Sequence, residues 1–168
     1  MTTIGSRTAF TVERIDVTTK GSFEQATAAF EKDVPTADMT VLARLVEAKS
    51  SPGEIQAAVA HMQGHLEFMI LAKVSQGSLA SLLGTPKKLS VYLIGNPVIA
   101  NRMFERNRGA GLYAPLHVSL YEGPSGTVHF AYDRPSSLLG SFEDAEIDAV
   151  AALLDEKMAT LSSRLARG

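Results

Sequence analysis

Two strand-like runs, Leu116–Glu122 and Thr127–Asp133, flank Gly123-Pro-Ser-Gly126. Those four residues fit a type I turn followed by glycine in the left-handed region, so the stretch predicts a β-hairpin. Three loop residues pair Gly123 with Thr127. Val118 then lies opposite Tyr132, and Leu120 opposite Phe130. In this register Leu116, Val118, Leu120, Val128, Phe130 and Tyr132 share one face. His117, Ser119, Tyr121, His129, Ala131 and Asp133 share the other. A slip of one residue would split the six apolar side chains between faces, so turn chemistry and hydrophobic pattern demand one pairing.

The rest of the chain supplies partners for such a hairpin. Thr8 to Thr18 is rich in β-branched residues and predicts a strand. A bulge within it would reconcile the parity of Phe10 and Val12 with that of Ile15 and Val17. Ser22 to Val34 predicts a helix, with Ser22 and Gln25 as a capping box and Pro35 as its stop. Asp38–Lys49 and Ser51–Gln63 predict two more, the second opened by Ser51-Pro-Gly-Glu54. Phe68 to Val74 is nearly all apolar, which suits a central strand covered on both faces or a short buried helix. Ser78–Leu83 reads as a helical turn, Leu89–Ile94 as a strand, and Pro97–Arg106 as a helix capped by Asn96. From Asp144 to Leu165, Ile147, Val150, Ala151, Leu154, Met158, Leu161 and Leu165 form the stripe of a long helix. The order predicts an α+β fold, with helices packed on a mostly antiparallel sheet and a long C-terminal helix.

A length of 168 residues is most simply one domain, with residues 1–7 as a flexible N-terminus. Cysteine is absent, so disulfides and thiolate chemistry are excluded. Met1 to Arg7 shows no basic segment followed by an apolar run, so no secretory signal is expected. The longest apolar run, Ala149–Leu154, falls far short of the roughly 20 residues that span a bilayer. The net charge of −2 lacks the basic excess of a nucleic-acid surface. A cytoplasmic protein without membrane or nucleic-acid partners is expected.

Tyr92-Leu-Ile-Gly-Asn-Pro97 with Ala100 and Met103, Leu112-Tyr-Ala-Pro-Leu116, Val118-Ser-Leu-Tyr-Glu122 and Tyr132-Asp-Arg-Pro-Ser-Ser137 together resemble the family catalogued as domain of unknown function 302. The likeness spans almost the whole chain and is weakest between Asp38 and Gln63. It implies a small α+β domain that forms a homodimer. The family has no general reaction, so the resemblance transfers no catalytic residue.

Candidate chemistry then comes from the residues themselves. Asn96-Pro97 caps a helix, and a helix N-terminus after a strand favours an anion. Pro135 holds Arg134 extended, and the guanidinium fork suits a carboxylate or phosphate. Tyr113 offers a ring and a hydroxyl beside a glycine connection. These three, Asn96, Tyr113 and Arg134, are the expected surroundings of a small anionic ligand. His117 opposite Asp133 could serve proton transfer, with Tyr113 or Tyr132 assisting, but equally reads as a polar cross-strand pair facing solvent or a dimer partner. His61 and His65 are four apart, yet no third ligand accompanies them, so no metal is expected. Gly109-Ala-Gly-Leu-Tyr-Ala114 follows a helix and enters a strand, the reverse of a dinucleotide-binding context. No organic cofactor is expected. A non-catalytic binder of an anionic molecule leads, ahead of a cofactor-independent acid–base enzyme and of a protein-interaction module.

Overall fold

A computed structural model describes residues 5, 7–84 and 87–168. Residues 1–4 and 6 of the expected flexible segment at 1–7 lie outside the described residues. The elements are β1 (Arg14–Thr18), α1 (Phe23–Asp33), α2 (Met39–Glu47), α3 (Pro52–Met62), β2 (Met69–Val74), α4 (Gln76–Ser81), β3 (Leu89–Gly95), α5 (Pro97–Arg106), β4 (Leu116–Glu122), β5 (Val128–Asp133), α6 (Pro135–Leu139) and α7 (Ala145–Arg167). The strands form one antiparallel sheet in the order β1-β5-β4-β3-β2. The fold is α+β.

The hairpin has the register its turn demands. Val118 pairs with Tyr132 and Leu120 with Phe130. The Gly123 N–H donates to the Thr127 carbonyl at 2.8 Å, and Gly126 sits at φ +80°. All six apolar residues of its inner face are buried. They meet Ala26 and Phe30 from α1, Met103 from α5 and the stripe of α7 from Ile147 to Leu165 in one core. Phe30 packs on Phe130 and Tyr92 at centroid distances of 5.7 and 4.8 Å. Burying each such side chain stabilises the fold by about 1.5–3 kcal/mol. Ser22 with Gln25, and Ser51 with Glu54, form both capping boxes.

Two strands depart from expectation. β1 starts at Arg14, and residues 8–13 run outside the sheet. Ile15 and Val17 pair with Tyr132 and Phe130 without a bulge. The partner strand ends at Asp133, because Pro135 opens α6, so residues before Arg14 have no strand to pair with. β2 is an edge strand rather than a central one. Its bulge comes between Ile70 and Ala72, leaving Leu71 unpaired. Ile70 enters the main core, while Met69 enters a second cluster with Ala37, Val59 and side chains of α2 and α3. That double burial explains the apolar start of the strand; its far end, Ala72 to Val74, is exposed.

Candidate functional site

A cavity of about 170 Å³ opens where β3 runs into α5. Phe68, Ile94, Leu116 and Leu154 form its core-side wall, Ile99, Ala100, Met103 and Phe104 of α5 another, and Leu71, Gly95, Asn96, Pro97, Ala114 and Pro115 the rest. The β2 bulge frees Leu71 from strand pairing, and α5 brings Ala100, Met103 and Phe104 to one side by its three- and four-residue spacing. The lining holds no Lys, Arg, His, Asp or Glu. Two of the four segments that carry the family resemblance meet here: Ile94 to Pro97 with Ala100 and Met103, and Ala114 to Leu116.

Asn96 lies on this wall, 7% exposed, with its amide fully engaged. Its Oδ1 accepts the Val98 and Ile99 N–H groups at 2.9 and 3.3 Å. Its Nδ2 donates to Gln63 Oε1 at 2.6 Å and to the Glu67 carbonyl at 2.9 Å. The Ala100 N–H donates to the Asn96 carbonyl, and Pro97 has no N–H. The first turn of α5 therefore keeps no free donor for an anion.

Arg134 lines a different hollow, with Tyr132, Asp155 and Ser162. Its Nε donates to Asp155 at 2.8 Å and its Nη1 to Glu13 at 2.9 Å. Those two carboxylates hold the guanidinium above its usual pKa. Asp155 also accepts the Ser136 N–H at 3.0 Å, and Ser137 Oγ accepts the Glu13 N–H. Arg134 thus ties the segment before β1 to α6 and α7. The Tyr132 hydroxyl lies 3.3 Å from Ser162 Oγ.

Tyr113, His117 and Asp133 surround a third hollow of about 180 Å³. The Tyr113 ring meets Phe10 and Phe142 edge-on. Asp133 approaches Arg14 at 3.8 Å, and among the described residues no hydrogen bond joins it to His117. Asn96, Tyr113 and Arg134 therefore line three separate hollows, while Tyr113, His117 and Asp133 share one. His61 lies on α3 and His65 beyond its end. Among the described residues no three His, Cys, Asp or Glu side chains gather as a metal site.

One polar cluster has no counterpart in the sequence reasoning. Asp16 on β1 accepts from Tyr121 on β4 and lies 2.7 Å from His129 Nδ1 on β5. The Tyr121 and His129 rings stack with centroids 4.9 Å apart. Burial pushes the Asp16 carboxyl up, but hydrogen bonds from Tyr121 and His129 outweigh it and hold the group below its ordinary value. The hairpin register already places Tyr121 opposite His129; nothing local says that β1 pairs beside them.

A family model for "Domain of unknown function DUF302" matches residues 45–165. The crystal structure of an uncharacterized conserved protein DUF302 from Bacillus stearothermophilus superposes with a TM-score of 0.63 at 16% identity, covering 90% of this chain and 97% of that one. At that identity the likeness concerns the fold. Among curated proteins none matches this chain. With the family model covering well over half of its length, the chain belongs to the DUF302 family of domains of unknown function.

Proposed function

We propose that this domain binds a small, mainly apolar molecule in the cavity beside α5, without reacting on it, and that it works as one folded unit within a cytoplasmic homodimer. The cavity's uncharged lining carries the proposal. An engineered apolar cavity of about 150 Å³ stays dry and takes up benzene. A volume near 170 Å³ suits a single ring or a short branched chain. A negative charge on the ligand would stay outside, because the lining has no cation and the α5 N–H groups are taken.

Thermal-shift screening of small aromatic and short aliphatic compounds tests the proposal, since a ligand that binds only the folded state raises its stability. The blocking variant is Gly95→Val. A Cβ at Gly95 would sit in ordinary contact with Pro115 and Leu71, both on the cavity wall. Stabilisation should vanish in that variant; the same stabilisation in Gly95→Val would move the ligand elsewhere. Light scattering at micromolar concentration tests the homodimer, and a monomer there would remove it.

An acid–base enzyme has one observation in its favour, the hollow shared by Tyr113, His117 and Asp133. It requires a turnover that His117→Ala and Asp133→Asn each abolish while the fold persists. A turnover indifferent to both would dismiss this hollow as its centre.

A further inference from the structure

The two faces of the sheet are treated very differently. The inner face carries the main core. On the outer face, β3 presents Leu89, Val91 and Leu93, and β2 presents Ala72 and Val74. None of these five packs against either apolar cluster, and Val74 is 53% exposed. A strand with apolar side chains on both faces is the pattern of a strand buried on both sides. In β3 only one side is buried within the chain.

The middle of this outer face is concave. A hollow of about 170 Å³ lies between Arg14, Val91, His117, Ser119, Ala131 and Asp133. Ser119 pairs across the strands with both Val91 and Ala131, so small side chains form its floor.

We propose that a second copy of this chain packs on the outer face of the sheet, with its own outer face inserted over the Ser119–Ala131 hollow. This rests on the homodimer proposed above and goes beyond it by placing the contact. Two observations favour a copy of the same chain over a charged partner. First, the ionic groups around the face are paired within the chain. Asp16 lies 2.7 Å from His129, and Arg14 lies 3.8 Å from Asp133. A centre of small uncharged side chains with paired charges beside it is complementary to itself, as a two-fold contact requires. Second, the area fits. The five strands, less the Met69 end of β2 that α2 and α3 cover, give at about 4.8 Å spacing and about 3.4 Å per residue a flat footprint on the order of 400 Å², and side-chain relief raises this toward the roughly 800 Å² each partner contributes to a standard interface. Face-to-face sheet packing about 10 Å apart is an ordinary arrangement.

Sedimentation of the full chain, wild type and Ser119→Arg, tests the placement. The arginine puts a charge over the hollow without touching the inner core. The wild type should sediment as a dimer and the variant as a monomer with an unchanged circular dichroism spectrum. Because the chain lacks cysteine, Ser119→Cys gives a second readout. Its reaction with a thiol reagent should slow by about tenfold as concentration rises through the dimerisation range, because only free monomer exposes the site. A monomeric wild type would overturn the dimer and the placement together. A dimer that survives Ser119→Arg, or a concentration-independent thiol rate, would overturn the placement alone. Loss of the dimer in Leu82→Ser but not in Ser119→Arg would assign the contact to the exposed leucines around α4 instead, and would also overturn it.

Discussion

Replacing Ala100 by leucine probes the cavity from the helix side. Ala100 sits on α5 and lines the hollow. Three added carbons would extend into its 170 Å³ of open space. Burying them contributes about 0.8 kcal/mol each, and ordering the leucine rotamer costs about 0.5–1 kcal/mol. The net expectation is a gain of about 1–2 kcal/mol. Alanine and leucine are close in helix propensity, so the backbone adds little to the balance. For a chain of this size, that gain corresponds to a thermal midpoint higher by about 3–6 °C. Scanning calorimetry with and without a small aromatic probe reads both consequences: a higher midpoint alone, and no further rise with probe. A midpoint lowered by several degrees would mean that the space is not open to a side chain, since overpacking costs about 1–3 kcal/mol. An undiminished rise with probe would mean that the probe sits elsewhere.

Phe130, fully buried between Phe30 and Tyr132, should lose about 3–5 kcal/mol on truncation to alanine; urea denaturation showing a loss under 1 kcal/mol, far below that range, would contradict the packing described. Gly126→Ala meets no atom within 4 Å, so its cost of about 1–2 kcal/mol should come from positive φ alone, and an unchanged midpoint in urea would argue for a different turn. Asp16 has a folded pKa below its ordinary 3.8, and a carboxyl so lowered stabilises above its unfolded value and loses that contribution as pH falls through the folded value. The midpoint difference between wild type and Asp16→Asn should hold steady above about pH 4 and close below it; a difference that persists undiminished at lower pH would show that the carboxylate charge is not what the cluster uses.

Periodicity and turn chemistry make the hairpin and every helix except α6 legible in the sequence. Ser22 with Gln25 and Ser51 with Glu54 name their helix starts, because capping is a contact between residues three apart. Gly126 names its turn, because positive φ is a property of one residue. The hairpin register follows because turn length and burial pattern both act within eighteen neighbouring residues, Leu116 to Asp133. The segment before β1 was not legible. Thr8 to Glu13 carries strand-forming residues, yet whether they pair depends on where β5 ends, more than a hundred residues away.

The candidate residues follow from local chemistry, and local chemistry has no view of what lies across the fold. Asn96 is a cap on either account, but its Nδ2 partners, Gln63 and Glu67, come from beyond α3. Arg134 offers a free fork in the sequence, and tertiary packing sets Glu13 and Asp155 against it. The apolar cavity and the Asp16–Tyr121–His129 cluster exist only because distant segments converge, through the β2 bulge, the α5 approach and the β1–β5 pairing. What the sequence by itself determined are the interactions within a helical turn or a hairpin, where separation along the chain sets separation in space. The order of strands, the occupancy of each polar group and the position of the open hollow were decided by long-range packing, where it does not.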